Sequence, residues 1–206
     1  MRHFALTLAV LAAIAGCTQT EDKGFSHREL ELIRGHQDSI MRVLTVEDSL
    51  DNTILRSVSN DMPASALLSE EYETLCKRMI ATVTHPSQDG VGIAGPQVGL
   101  NRRIVAVQRF DKTGFPFEVY PNIRIVWASD SLSYGSEGCL SVPGRRGEVL
   151  RARKIVIEYA DMEALTERIE DKETIPVKRD TVSGFTAVIF QHETDHLDGI
   201  LYIDRL

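Results

Sequence analysis

Cysteine is scarce in this chain, with three among 206 residues, at positions 17, 76 and 139. That number excludes the dense disulfide framework on which small exported domains often rely. No internal repeat and no low-complexity run occurs, which excludes a solenoid and a compositionally biased, disordered chain. No clustered basic patch is present, and 23 Lys and Arg stand against 30 Asp and Glu for a net charge of -7. A nucleic-acid-binding surface is therefore not expected. No apolar run reaches the roughly 20 residues that a bilayer-spanning helix needs. What is present is 43% apolar residues, enough for one compact domain with a sizeable core.

The first segment reads as a targeting signal. Arg2 and His3 precede an apolar run from Phe4 to Ala15, which closes on Ile14-Ala15-Gly16-Cys17. A basic start, a short apolar core and small residues at its end describe a secretory signal. The cysteine after Ala-Gly resembles a bacterial lipoprotein box, in which that cysteine becomes the lipidated first residue. The expectation is an exported protein anchored through Cys17 on the periplasmic side or cell surface. An ordinary signal with Cys17 incidental is the plainer alternative, and the protein would be cytoplasmic if the signal were unused. Residues 18–38 are polar and charged and read as a tether, so the domain is expected over 39–206.

Within the domain, Leu68, Tyr72, Leu75, Met79 and Val83 recur at helical spacing, which predicts a helix over 66–84 with Pro86 beyond its end. Cys76 falls in that pattern as a small buried apolar residue. Ile104-Val105-Ala106-Val107 reads as a buried strand, with further strands at 117–120, 123–128 and 154–159. Residues 161–183 are charged and unpatterned, apart from a short strand near 175–177. A last helix is predicted over 184–197, with Phe185, Ile189, His192 and His196 on one face and Gly199 placed to end it. Short strands and a late helix predict an α+β domain.

Gln191-His192-Glu193-Thr194-Asp195-His196 contains H-E-x-x-H on that helix. Histidines at i and i+4 point the same way, so both rings can reach one metal ion, and the glutamate between them can touch its water. Two histidines on an amphipathic helix also read as ordinary surface or core residues. A catalytic site needs a third protein ligand. After His196 no histidine or glutamate follows, and Tyr202 stands where the extended zinc-peptidase motif has its last histidine. The best upstream candidate is Cys139, expected in the glycine-bounded loop Glu137-Gly138-Cys139-Leu140-Ser141. Thiolate is a strong ligand for zinc or ferrous iron. By itself, this cysteine reads as a buried free thiol in a turn.

Three segments together resemble the peptide deformylase family, whose pattern is G-x-G-x-A-A-P-Q, then E-G-C-L-S, then Q-H-E-x-D-H. The chain reads Gly90-Val91-Gly92-Ile93-Ala94-Gly95-Pro96-Gln97, then 137–141, then 191–196, with Gly95 replacing the second alanine. The resemblance covers roughly 40–206 and implies a deformylase-like α+β fold, with short antiparallel strands around a central metal-binding helix. It implies that Cys139, His192 and His196 bind one divalent metal, Fe2+ or Zn2+, with Ni2+ or Co2+ also suited. The reaction implied is attack of metal-activated water on the formyl group of N-formylmethionyl peptides, with Glu193 accepting the water's proton and returning it to the leaving amine. Gln97 and the Leu140 N–H would stabilise the oxygen that gains charge. Backbone at Val91, Gly92 and Gly138 would pair with an extended peptide. Val188 and Ile189 read either as walls of a methionine pocket or as core.

Departures from the family also stand in the sequence. Residues 161–183 are longer and more charged than the hairpin expected there, and only seven residues follow Gly199, where many relatives carry a further helix. Export would separate the protein from nascent chains and leave exported formyl peptides as its substrate. The rival readings are an H-E-x-x-H metallopeptidase and a non-catalytic metal- or peptide-binding lipoprotein. Retained Glu193 and Gln97 argue against mere binding. A monomer is expected.

Overall fold

The computed structural model describes residues 24–35, 40–167 and 174–206. The signal expected over 1–17 and the first part of the tether lie outside the described residues. Four helices come first: α1 (His27–Arg34), α2 (Ser49–Leu55), α3 (Ala64–Leu67) and α4 (Glu70–Val83). Three antiparallel layers follow. In the first, β1 (Gly92–Ala94), β2 (Ile104–Gln108) and β3 (Phe117–Pro121) pair in that order. In the second, β4 (Arg124–Ala128), β7 (Lys154–Ala160) and β8 (Val177–Ser183) pair in that order. Between them in sequence, β5 (Leu132–Cys139) and β6 (Val142–Ala152) form a hairpin. The short α5 (Met162–Glu167) precedes β8, and α6 (Gly184–Leu197) packs against β1 and β2. The expected α+β architecture is what the chain adopts.

The core explains why the β2 segment reads as an unbroken apolar run. Ile104 and Ala106 face one side with Leu75, Met79 and Val83 of α4. Val105 and Val107 face the other with Ile155, Ile157, Ile189 and Phe190. A strand covered on both faces has no polar side to show.

Four expectations need correction. Residues 24–35 do not belong to a tether. Ser26 and Glu29 form a capping box, with Ser26 N donating to Glu29 at 2.7 Å, and Phe25 and Ile33 are buried. Arg78 of α4 donates to the carbonyls of Leu32 and Ile33 at 2.7 and 2.9 Å, and Arg102 donates to Glu29 at 2.6 Å. The folded domain therefore includes α1 and starts before residue 39. The helix predicted over 66–84 is two helices, because Ser69 takes an extended conformation and caps α4 by accepting from Tyr72 N.

The third correction concerns strands the sequence reading passed over. β5 and β6 carry Gly, Ser and Arg with one face in solvent, and β8 (Val-Lys-Arg-Asp-Thr-Val-Ser) is an exposed edge strand, so neither alternates clearly. The strand expected near 175–177 begins at Val177 and runs to Ser183. Finally, Cys139 is not in a loop but ends β5, at the tight turn where it pairs with Val142.

Candidate active site

The site begins with α6, where 192–196 are all buried although four of the five are ionisable or strongly polar. Polar groups survive burial only when partnered. Gln191 fastens the helix to β6, accepting from Ala152 N at 3.0 Å and donating to Ala152 O at 2.9 Å. The i, i+4 spacing then sets the His192 and His196 rings side by side, 5.2 Å between centroids. The end of β5 delivers the third donor, with Cys139 Sγ at 3.2 Å from His196 Nε2. One ligand atom from each of Cys139, His192 and His196 lies within 4.8 Å of the others. Sulfur and both imidazoles thus converge, as the motif spacing predicts.

Around them stands a charged frame. Glu137 Oε2 lies 2.8 Å from His192 Nδ1, which leaves Nε2 for the metal side. Arg151 grips both Glu137 oxygens at 2.8 and 2.9 Å and reaches Asp195 at 2.6 Å. Burial alone would raise the Glu137 carboxyl, but Arg151 and His192 outweigh it and hold it at about 2. Burial likewise lowers His192, yet its bonds to Cys139 and Glu137 prevail and raise it to about 10. His196, with no such partner at its buried Nδ1, is pushed well below its usual value by burial and the neighbouring cations.

Glu193 is buried and its Oε2 has no hydrogen-bond partner among the described residues. Burial raises its carboxyl to about 7, against the opposing pull of His192. The carboxylate lies against Gly92 of β1. A Cβ there would sit 2.5 Å from Glu193 Oε1, so this glycine is required by close approach rather than by a turn. Gln97, in the 3-10 turn Gly95–Val98, accepts from Ala94 N at 2.8 Å. Its amide nitrogen is thereby aimed at Ser141 Oγ (3.2 Å) and Cys139 Sγ (3.6 Å). Glu193, Gly92, Gln97, Cys139 and His192 meet at one cavity of about 670 Å³, lined also by Val91, Gly138, Leu140, Phe185, Val188 and Ile189. Val188 and Ile189 therefore do face the cavity, and Ile189 serves the core as well.

Sequence reasoning missed Arg151, Ser141, Asp195, Tyr202 and Arg205. Asp195 and Ser141 stood inside the quoted motifs without a role. Tyr202 stacks on His192, with centroids 6.0 Å apart and planes at 22°. Nothing along the chain marked Arg151, because its partners are 14 and 44 residues away.

A thiolate, two imidazoles and a buried carboxylate beside an open cavity define a metallohydrolase centre on an α+β scaffold. The family model described as polypeptide deformylase matches residues 40–206. A peptide deformylase of Leptospira biflexa is 35% identical over 164 residues, 76% of this chain and 84% of the relative. Peptide deformylase 2 of a Nostoc species is 40% identical over 140 residues, 65% of this chain and 71% of the relative. Among solved structures, the Met-Ala-Ser-bound class I type b peptide deformylase of Acinetobacter baumannii is 30% identical with TM-score 0.68, covering 82% of this chain and 99% of that one. The Thermotoga maritima enzyme is 28% identical with TM-score 0.66, covering 82% and 98%. The chain belongs to the peptide deformylase family, whose members are metal-dependent hydrolases. The three donors, one soft sulfur and two borderline nitrogens, suit such a metal, and a carboxylate oxygen without a hydrogen-bond partner among the described residues stands beside them.

Proposed function

We propose that this chain removes the N-formyl group from N-formylmethionyl peptides, with Cys139, His192 and His196 holding one divalent ion and Glu193 moving the protons. The observation that carries this reading is the convergence of those three donor atoms within 4.8 Å, beside a buried carboxylate. When bound, the metal supplies Lewis acidity, which makes water nucleophilic near neutral pH. Glu193 takes the water's proton and returns it to the amine nitrogen as the C–N bond breaks; a carboxyl near neutrality is suited to both tasks. Gln97 Nε2 and the Leu140 N–H donate to the carbonyl oxygen as it gains charge. β1 is an edge strand, so Val91 and Gly92, with Gly138 opposite, can align an extended peptide. Val188 and Ile189 supply an apolar wall for methionine. The similar Acinetobacter baumannii structure carries Met-Ala-Ser, which supports a methionyl peptide here.

Fe2+ and Zn2+ head the list of metals, with Ni2+ and Co2+ compatible. Residues 1–17 support export and a lipid anchor at Cys17, and with it a substrate outside the cytoplasm, such as exported formyl peptides. Anaerobically purified full chain should contain one metal ion and release formate from formyl-Met-Ala-Ser, and chelation should abolish both. Internal cleavage of blocked peptides without formate release would instead identify a peptidase. For the anchor, cells fed labelled fatty acid should label the chain, and Cys17→Ala should remove the label. Intact cells should then deformylate added peptide.

A further inference from the structure

Two cations in the frame, Arg151 and Arg205, lie outside every motif in the sequence. Arg205 donates to Asp195 through Nε at 2.6 Å and Nη2 at 2.5 Å, and Asp195 also accepts from Arg151 at 2.6 Å. Arg151 in turn holds Glu137, and Glu137 holds His192. Two buried carboxylates are thus matched by two guanidinium groups, and each guanidinium has a fixed assignment. Without Arg205, Asp195, only 8% exposed in the intact chain, would lose two of its three charge-assisted bonds. Arg151 would then be the one cation shared by Asp195 and Glu137.

We propose that Arg205 is a positioning residue for the metal centre. By satisfying Asp195, it keeps Arg151 on Glu137 and so keeps Glu137 on Nδ1 of His192. The inference rests on the reading that His192 is a metal ligand. The 3-10 turn Tyr202–Arg205 presents Arg205 from a strap held at separate points. Asp204 pairs with Arg56, and Leu206 lies against Gly147, where a Cβ would meet its side chain. The Leu206 anchor is apolar and meets Gly147 rather than Asp195 or the ligands, and it provides a control.

The test uses the full chain loaded with Co2+, reading affinity by chelator competition and geometry from the sulfur-to-cobalt and d–d absorption bands. Residues that orient metal ligands typically change affinity 10- to 100-fold. Because Arg205 is partly exposed, R205Q is expected at the lower end, about tenfold weaker, with shifted bands. R205K, which keeps the charge but loses the planar fork, should fall between R205Q and the parent chain. L206A, at the apolar anchor, should leave affinity within about twofold and the bands unchanged. Unchanged affinity and bands in R205Q overturn the proposal, as does L206A weakening cobalt equally, since the strap would then act only as packing. If R205Q does not fold, R205K decides: altered bands support the role, and unchanged bands and affinity overturn it. A parent chain lacking sulfur-to-cobalt bands would sink the Cys139 ligand reading itself, an outcome distinct from a normal parent spectrum with R205Q unaffected.

Discussion

Gly92 of β1 and Glu193 of α6 meet so closely that a Cβ on the glycine would stand 2.5 Å from the glutamate's Oε1 and 2.8 Å from Ile189 Cγ2. Gly92 thus keeps open the space in which the Glu193 carboxylate sits. Its backbone is ordinary extended strand, paired with Val107, so alanine would bring no backbone strain. Gly92→Ala is therefore expected to displace the carboxylate without unfolding the sheet. Displacing a reacting group by about 1 Å can cost on the order of 10²-fold in rate. Formate release should fall by that order while metal content and thermal midpoint stay near those of the parent.

Gln97 tests the donor side of the same cavity. Its Oε1 is engaged by Ala94 N, so only its amide nitrogen is aimed at the Cys139 sulfur. Gln97→Leu keeps the volume and removes the donor, together with the oxygen that accepts from Ala94 N. A fall in kcat of about 10²–10³ is expected, the usual cost of one oxyanion donor. Metal analysis of the same sample decides whether the loss lies in chemistry or in assembly.

Acid stability should depend on a cluster remote from the metal donors. Arg109, 2% exposed, is bonded to Asp111 at 2.7 and 2.8 Å and to Asp180 at 2.9 Å, and it also donates to Tyr120, which donates to Glu118 at 2.5 Å. The Arg109 bond lowers Asp111. Glu118 is raised by burial but lowered further by Lys112 and Tyr120. Both carboxyls thus titrate lower in the folded chain than in the unfolded one, whose values are about 3.9 and 4.3. Their stabilising contribution is complete above those values and is lost as pH falls through and below them. Denaturant midpoints should fall from about pH 4.5 downward. Arg109→Leu should destabilise the chain even at pH 7, near the lower end of the roughly 3–5 kcal/mol typical of a broken buried pair, because its partners are partly exposed.

Gly199 carries the chain out of α6 at φ 72°, in the left-handed region, with Arg56 O at 2.4 Å from where a Cβ would be. Gly199→Ala should cost about 1–2 kcal/mol from the backbone conformation alone, and more from the contact with a main-chain oxygen. Urea unfolding would measure it. A change of less than about 0.5 kcal/mol, the range of neutral surface substitutions, would contradict the close approach.

The readings that succeeded rest on local periodicity or on motifs. The i, i+4 histidines of α6, the doubly covered run Ile104–Val107 and Gly199 at the helix end all depend on residues a few positions apart. Their meaning survives without knowledge of the rest of the chain. α1 was hidden for the opposite reason. It is polar on most of its surface, and Ile33, Leu30, the Arg34–Glu71 pair and the bonds from Arg78 and Arg102 fix it to the domain.

The sequence by itself determined the donor types, the helix that carries two of them, and the family resemblance. The tertiary structure decided where Cys139 sits, that Glu137 serves His192, and that Arg151, Asp195 and Arg205 complete the frame. A charged side chain looks alike in sequence whether it is solvated or buried. Only folding removes the water and makes a partner 14 or 44 residues away the deciding interaction.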